Sequence, residues 1–376
     1  MKNQPSAARR RLRWACVPLL AIPLFTACSK RTPQPPQPYV AFVANNRSDT
    51  VVAVDLKQLR VVASLRVPRP IVVKVRPASQ EIWALSSTGA AYVVRFPDLR
   101  VAKIVRVGAS AATLLFSSDG REAYALDPAS GGGLVFLDAG AGREVARVKL
   151  SPGTKFLALT PDGKTLIASE TDADRLAFVD VGSRRLLGTV KTGKAPGALA
   201  VLPNSSQVFV ADTGEKKISV ADVAEQKLVA NIETGYMPTS LVLKPDGGEL
   251  FAFAASNATL VILDAFHDDV EQNVSVGEGP VAALIAPESG TLYITTAGDG
   301  NIMALDIATR KVLASTHTGT EPRALALTPD ERFLVVADAG ASSVALLRAD
   351  PASLVTTIPV GARPVDVVIP DWLLKE

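Results

Sequence analysis

Residues 193–234 read GKAPGALAVLPNSSQVFVADTGEKKISVADVAEQKLVANIET, and this stretch decides the fold. A Gly-x-x-Pro turn opens it, and four apolar runs follow, at 198–202, at 208–211, before Asp222 and at 228–232. The runs are of strand length and are bounded by Pro, Gly, Asn or Asp, which is typical of short strands joined by turns. The stretch therefore predicts four strands in one antiparallel meander.

The same unit recurs along the chain with a period near 42 residues, and three columns of equivalent residues mark it. The turn glycines, each followed three residues later by a proline, are Gly193, Gly235, Gly277, Gly319 and Gly361. The aspartates that end the third strands, where a carboxylate can bond the amides of the next turn, are Asp138, Asp180, Asp222, Asp264 and Asp306. The large apolar residues of the second strands, expected to fill the space between sheets, are Phe42, Trp83, Tyr124, Ile167, Phe209, Phe251, Tyr293 and Val335.

Such a period indicates a propeller or a solenoid, and the two ends of the repeat region decide between them. The first unit begins at its second strand, Val40 to Ala44, and Pro364 to Pro370 is a first strand standing alone. Their pairing would close a ring and remove the open edge. We predict an all-β fold over residues 39–370, a single closed β-propeller of four-stranded antiparallel blades. Eight blades are favoured; seven is the alternative, because Phe96 and Ala111 stand where Asp and Pro are expected.

The repeat resembles the YVTN-type β-propeller repeat. The resemblance is carried by Gly-x-x-Pro, by Pro-Asp-Gly, and by the second-strand tetrapeptides that begin at Phe42 (FVAN), Phe209 (FVAD) and Tyr293 (YITT). It covers essentially all of residues 39–370 and implies the propeller fold. Because relatives with similar blades include lactonases, electron-transfer subunits and surface proteins, the resemblance does not imply one activity.

The N-terminal residues are typical of an export signal. Arginines at 9–13 precede an apolar run from Trp14 to Phe25 that is short for a membrane span. Residues 24–28 (LFTAC) resemble a bacterial lipobox, which predicts a signal peptide at 1–27 and a lipid on Cys28; an ordinary signal peptide with an incidental cysteine is the alternative. Residues 28–38 are Pro-rich and predict a tether, and 371–376 a C-terminal tail. Ser29 is compatible with sorting to the outer membrane, so we expect an exported protein, periplasmic or at the cell surface, anchored to a bacterial membrane.

Composition and motifs exclude several classes of site. The net charge is +3, but five basic residues and no acid precede Cys28, so removing them leaves −2 and nothing indicates nucleic acid as a partner. His267 and His317 are the only histidines and fall on separate repeats, and no Cys-x-x-Cys-His motif is present, so no cofactor and no metal site is predicted. Acidic or amide side chains of the second-to-third-strand loops could hold calcium but are more typical of turns: Asn45, Asp49, Asp172, Asp174, Asp212, Asp299 and Asp338.

Topology points to one face of the ring as the binding surface. In a meander, the loops from each fourth strand to the next first strand emerge beside the second-to-third-strand loops, around the channel mouth. The first set of loops places there Arg69, Lys194, Tyr236, Met237, Glu278, Glu321, Arg323 and Arg363. The arginines at 323, 363 and 69 fall on consecutive blades of a closed ring and could bind a carboxylate or another anion. Ordinary solvated loops are the alternative.

Two functions remain open from the sequence. One is a non-catalytic, membrane-tethered module that binds a protein or polymer partner on its loop face, as propeller lipoproteins of outer-membrane assembly do; the tryptophan-bearing repeats of those propellers are absent. The other is a propeller-type hydrolase such as a lactonase, with a channel-mouth acid as base and an arginine for the anionic group. A raised pKa at Glu278 or Glu321 would favour the enzyme, and a solvated pair would oppose it.

Overall fold

Within the part of the chain that the structure describes, thirty-two strands pair into eight four-stranded antiparallel sheets. The structure is a computed structural model that describes residues 39–129 and 131–373. The chain divides into two units, 1–35 and 36–376, and the described residues belong to the second. The predicted signal peptide and the lipid site Cys28 lie outside the described residues.

Each blade is a meander of consecutive strands, apart from blade 1, which takes strands from both ends of the chain. Blade 1 contains β1 (Val40–Asn45), β2 (Thr50–Asp55), β3 (Arg60–Arg66) and the final strand β32 (Pro364–Val368). Blade 2 contains β4 (Pro70–Val75), β5 (Glu81–Ser86), β6 (Ala90–Arg95) and β7 (Arg100–Arg106). Blades 3 and 4 contain β8 (Thr113–Phe116), β9 (Glu122–Asp127), β10 (Gly133–Asp138), β11 (Arg143–Val148), β12 (Phe156–Leu159), β13 (Thr165–Glu170), β14 (Arg175–Asp180) and β15 (Arg185–Lys191).

The remaining blades follow the same order. Blades 5 and 6 contain β16 (Pro196–Val201), β17 (Gln207–Asp212), β18 (Lys217–Asp222), β19 (Lys227–Glu233), β20 (Ser240–Leu243), β21 (Glu249–Ala254), β22 (Thr259–Asp264) and β23 (Asp269–Ser275). Blades 7 and 8 contain β24 (Pro280–Ala286), β25 (Thr291–Thr296), β26 (Asn301–Asp306), β27 (Val312–His317), β28 (Pro322–Leu327), β29 (Phe333–Asp338), β30 (Ser343–Arg348) and β31 (Ser353–Pro359). Two 3-10 turns, Thr171–Ala173 and Ala255–Asn257, follow β13 and β21.

The ring closes as predicted, and the seven-bladed alternative is excluded. β32 pairs antiparallel with β1, with Phe42 opposite Val368 and Val43 opposite Val367. Beyond β32 the chain stays on the ring, since Leu373 forms a bridge with Tyr39. The ring closes through side chains as well, because one apolar cluster contains Val43 of blade 1 and Val335 of blade 8.

The core lies between neighbouring blades. The predicted second-strand column is buried throughout, so its role in filling the space between sheets is confirmed. Phe209, for example, packs in one cluster with Leu250 and Leu263 of the next blade. Because both faces of the middle strands are covered, β17 and β29 read as continuous apolar runs rather than as alternating ones.

The predicted aspartate column forms the turns between third and fourth strands. Asp180 Oδ1 accepts a hydrogen bond from the Ser183 amide at 2.6 Å, and Asp222 Oδ1 accepts one from the Glu225 amide at 2.7 Å. These short side-chain-to-backbone bonds fix the turn and lower the pKa of Asp180, whose strongest stabilising partner is Ser183.

The two faces of the ring differ in the connections they carry. The loop face carries the second-to-third-strand loops and the links between blades; the hairpin face carries the other two turns of each blade. A direct contact shows that the second-to-third-strand loops and the links between blades share one face: Asp49 in the β1–β2 loop accepts a hydrogen bond from the amide of Arg69 in the link to blade 2. Tyr39 lies on the hairpin face, where its carbonyl accepts a bond from the Leu56 amide at 3.0 Å. Among residues 39–129 and 131–373, no helix is long and apolar enough to cross a bilayer.

Candidate functional site

Acidic side chains clamp the links between blades on the loop face. Asp49 Oδ1 lies 2.8 Å from the Arg69 amide nitrogen, Asp174 Oδ1 lies 2.8 Å from that of Ala195, and Asp299 Oδ2 lies 3.1 Å from that of Glu278. Carboxylates used in this way hold backbone donors that would otherwise lack partners. Within the described part of the chain, no group of three or more His, Cys, Asp or Glu side chains is placed to hold a metal ion. Asp49, Asp174 and Asp299 therefore act as hydrogen-bond acceptors for the backbone of these links.

Buried aspartates at the ends of second strands leave little room beside the turn glycines. A Cβ atom on Gly193 would lie 2.5 Å from Asp212 Oδ2, and one on Gly319 would lie 2.9 Å from Asp338 Cγ. Glycine is required here because a buried acidic side chain packs directly on the backbone. The links between blades are therefore closely packed against the strands beneath them at these positions.

Two arginines pair with one glutamate at the junction of blades 8 and 1, and a third arginine lies near enough to act on its charge. Arg323 Nη2 donates a hydrogen bond to Glu321 Oε1, and Arg363 Nη2 lies 3.7 Å from the same oxygen. Arg47, in the β1–β2 loop, adds a third nearby positive charge. We call Arg47, Glu321, Arg323 and Arg363 the arginine cluster.

Two arginines of the cluster are positioned by backbone contacts between the β1–β2 loop and the link that enters β32 of the same blade. The Asn46 amide donates to the Arg363 carbonyl at 2.9 Å, and the Arg47 amide donates to the Ala362 carbonyl at 3.1 Å. The backbones of Glu321 and Arg363 adopt left-handed conformations, with φ of 56° and 57°. Non-glycine residues adopt this region at a cost, so the surrounding structure must impose it.

The electrostatics of the cluster favour an anion. The hydrogen bond from Arg323 lowers the pKa of Glu321, and the charges of Arg363 and Arg47 lower it further. One carboxylate facing three guanidinium groups leaves the cluster positive. Arg323 Nε is buried and has no hydrogen-bond partner among the described residues, so only the outer nitrogens of this guanidinium can meet an incoming group.

The structure brings together only some of the candidates predicted on this face. Arg323, Arg363 and Glu321 are in contact, and Arg69 is exposed on the next blade with its amide clamped by Asp49. Three others lie on different blades, and no described hydrogen bond or ion pair joins them to the cluster: Lys194, Tyr236 and Glu278. Of these, Lys194 and Glu278 are exposed, whereas Tyr236 packs against the apolar cluster between blades 5 and 6.

Sequence reasoning missed Arg47. Its position in the sequence could have identified it, because a second-to-third-strand loop faces the same channel mouth as the links between blades. Arg47 lies two residues past the end of β1, in the loop that the closed ring brings beside Arg363.

The two histidines are far from a shared site. His267 lies on the hairpin face, where its Nδ1 is 2.7 Å from Asp264 Oδ2, and His317 ends β27 on the loop face with its Nδ1 3.2 Å from Asn301 Oδ1. Two histidines on opposite faces cannot bind one ion.

Sequence reasoning also missed a carboxylate on an innermost strand. Asp366 accepts a hydrogen bond from the Val73 amide of blade 2 at 2.9 Å and one from the Val367 amide at 3.0 Å. Burial raises the pKa of Asp366, and the charge of Lys74 opposes that rise. Because the inner edge of β4 has no further strand to pair with, Asp366 links the innermost strands of two blades.

Comparisons with known proteins agree with this architecture. A family model described as "YNCE-like beta-propeller" matches residues 190–353. No curated protein matches the chain. Among solved structures, the dihydro-heme d1 dehydrogenase NirN is 14% identical with a TM-score of 0.76, over 92% of this chain and 78% of NirN.

Two further solved structures are similar. Apo AztD from Citrobacter koseri is 14% identical with a TM-score of 0.69, over 89% of this chain and 98% of AztD. The Kuenenia stuttgartiensis hydrazine synthase chain is 21% identical with a TM-score of 0.57, over 68% of this chain and 88% of that one. Identities this low establish the fold alone. From its eight closed sheets and these matches, the chain is a β-propeller protein.

Proposed function

We propose that this propeller is a non-catalytic binding module, tethered to a bacterial membrane through Cys28, whose loop face binds an anionic segment of a protein or polymer partner. The observation that carries the proposal is the arginine cluster, in which Arg323 and Arg363 pair with one carboxylate and Arg47 adds a third positive charge nearby. An incoming carboxylate or phosphate group can pair with the arginines.

The geometry of the cluster supports a specific contact rather than diffuse attraction. Arg47 and Arg363 lie on backbone segments that are hydrogen-bonded to each other, so the spacing of the two backbones is fixed. Preorganised side chains lose less conformational entropy on binding, and a partner gains correspondingly more affinity from them. Arg69, on the adjacent blade, extends the positive surface beyond the cluster.

The same contacts oppose the lactonase alternative. A general base works best when its pKa lies near the operating pH, but three nearby arginines hold the pKa of Glu321 below its usual value. Glu278 is exposed on another blade and has no described bond to the arginines. The ionised Glu321 is therefore poorly suited to act as a catalytic base.

Titration of the purified protein with a glutamate-rich peptide tests the anionic contact. We expect Arg323→Ala and Arg363→Ala each to weaken binding at least about tenfold, because a charge-assisted hydrogen bond contributes roughly 1.5–3 kcal/mol. Glu321→Gln should tighten binding, since it removes the carboxylate that competes with the peptide. Lys194→Ala, on the same face but another blade, is the matched control. Equal losses for Lys194→Ala and Arg323→Ala would reduce the effect to general charge and refute the site.

Co-purification from the native membrane tests the partner and the tether. The lipid-anchored protein is compared with its Cys28→Ala variant, and mass spectrometry identifies what each retains. We expect a stoichiometric partner that is lost or reduced when the anchor or the arginine cluster is removed. Cys28→Ala protein that stays membrane-bound and keeps its partner would refute the tether.

A further inference from the structure

Each blade carries a β-bulge where its outermost strand begins. In blade 4, Phe178 pairs with Gly188 and Val179 pairs with Leu186, so Leu187 is the extra residue. Equivalent shifts leave Val229 as the extra residue of β19, Leu313 of β27 and Val355 of β31. A bulge bends the strand and redirects its side chains, so two consecutive residues no longer point to opposite faces.

In four blades the bulge displays two consecutive aliphatic side chains to solvent. We call these the rim pairs: Leu186 and Leu187, Leu228 and Val229, Val312 and Leu313, and Leu354 and Val355. The extra residue of each pair is 41–55% exposed: Leu187 48%, Val229 49%, Leu313 55% and Val355 41%. An exposed basic residue precedes three of the pairs: Arg185, Lys227 and Lys311.

The rim pairs all lie at the hairpin face. Fourth strands begin there, directly after the third-to-fourth-strand turns. Other exposed apolar side chains share this face, namely Phe266 and Leu59 in such turns and Leu373 beside Tyr39. Tyr39 is also where residues 1–38 join the propeller. The apolar rim and the attachment point of the predicted tether are therefore on the same side of the ring.

We propose that the rim pairs insert into the interfacial region of a lipid bilayer, so that the propeller rests on the membrane by its hairpin face. This inference rests on the proposed tether through Cys28, which would hold this face close to the lipid. Residues 28–38 are enough to span roughly 30 Å when extended, which keeps the hairpin face within reach of the bilayer.

The pattern of the rim favours a bilayer over a protein partner. Strand addition needs a regular open edge, and the bulge at the start of each outermost strand interrupts that edge. The pairs are also separated by charged turns, so they do not form one continuous apolar patch. A basic residue followed by two exposed aliphatic residues is instead suited to an interface where the aliphatic groups enter the acyl boundary and the cation contacts anionic headgroups.

The orientation follows from the fold. With the hairpin face on the membrane, the arginine cluster on the loop face points into the aqueous compartment. A partner could then bind the cluster without competing with lipid.

Site-directed fluorescence of the full-length, membrane-extracted protein tests this inference. Val229→Cys and Leu313→Cys place the environment-sensitive dye NBD on two separate rim pairs, and Met237→Cys places it on the loop face as the matched control. The protein is reconstituted with vesicles of phosphatidylethanolamine and phosphatidylglycerol, and flotation reports its anchoring. Wild-type protein treated with the same dye carries no introduced cysteine and corrects for labelling at Cys16 or Cys28.

We expect both rim probes to shift their emission to the blue and to brighten at least about twofold with vesicles, while the Met237 probe stays unchanged. Protein that floats with the vesicles but whose two rim probes keep the emission they have in water would overturn the bilayer contact of the rim pairs and leave the tether intact. Protein that neither floats nor shifts would overturn both. An equal shift at all three positions, or a rim shift without vesicles, would overturn the bilayer contact, the latter in favour of a second copy.

Discussion

Asp338 is expected to weaken the fold at neutral and alkaline pH, and Asp338→Asn to relieve that effect. The side chain ends β29 and is fully buried beneath the link between blades 7 and 8. Its Oδ1 accepts a hydrogen bond from Thr318 Oγ1 at 2.9 Å, but its Oδ2 is buried without a partner in the described part of the chain. Blade 1 shows that an asparagine fits at this position, because Asn45 ends its second strand as Asp338 ends β29.

The hydrogen-bonding partners of the two positions also correspond. Asn45 Nδ2 donates to Thr50 Oγ1, which lies opposite in the strand pair, and Ser343 lies opposite Asp338 in the same register. An asparagine at 338 could therefore donate from its amide nitrogen to a hydroxyl oxygen, whereas the ionised carboxylate leaves Oδ2 without a donor.

Burial sets the size and sign of the expected effect. It raises the pKa of Asp338 to about 6 from the ordinary value of 3.8, against the opposing hydrogen bond from Thr318 and the charge of His317. A pKa raised on folding stabilises the protein below the unfolded pKa, and that stabilisation is lost as pH rises through about 6. The difference of about two pKa units corresponds to roughly 3 kcal/mol between low and high pH.

Urea unfolding of wild type and Asp338→Asn at pH 4 and pH 8 measures the effect. We expect similar stability at pH 4 and a more stable variant at pH 8, by about 1–3 kcal/mol. Asn45→Asp is the reverse control and should introduce the same loss above pH 6. A difference between wild type and Asp338→Asn that does not change with pH would refute the reasoning.

Three further outcomes are expected. Arg363→Gly should raise the melting temperature slightly, because glycine adopts the left-handed backbone without strain, while binding of the glutamate-rich peptide falls; a lower melting temperature would contradict the strain argument. Phe209→Ala, at a fully buried position between blades, should cost about 3–5 kcal/mol in urea unfolding, and a loss below about 1 kcal/mol would contradict the packing described. Ending the chain before β32 should open the ring and yield aggregated protein by size-exclusion chromatography, whereas a soluble monomer would show that closure is dispensable.

The fold was predictable because the repeat presents the same signals many times. One Gly-x-x-Pro turn is weak evidence, but five at equal spacing, with an aspartate column in phase, leave few architectures. Ring closure was predictable for a similar reason, since the strand missing before Val40 appears at Pro364.

The site was only partly predictable, because side-chain meetings across blades depend on geometry that the repeat does not encode. The convergence of Arg323 and Arg363 followed from adjacent blades, but Arg47 required knowing how closely the β1–β2 loop approaches the last link. The bulges could not be predicted either, because the sequence of β15 does not show which of its residues lacks a partner on β14. Asp366 had a signal, a lone acid on an innermost strand, but its bond to Val73 joins strands that are 293 residues apart.

Differences between the blades separate what the fold needs from what it only tolerates. The residue before the link proline adopts a left-handed backbone in several blades, where glycine is the least strained choice and Gly279 shows that the repeat accepts it. On blades 8, 1 and 2, the residues in this position are instead Glu321, Arg363 and Arg69. Charged residues there add backbone strain of order 1 kcal/mol and contribute nothing to the core. Three such residues on consecutive blades, beside an arginine from another loop, are what the proposed contact with an anionic partner would require.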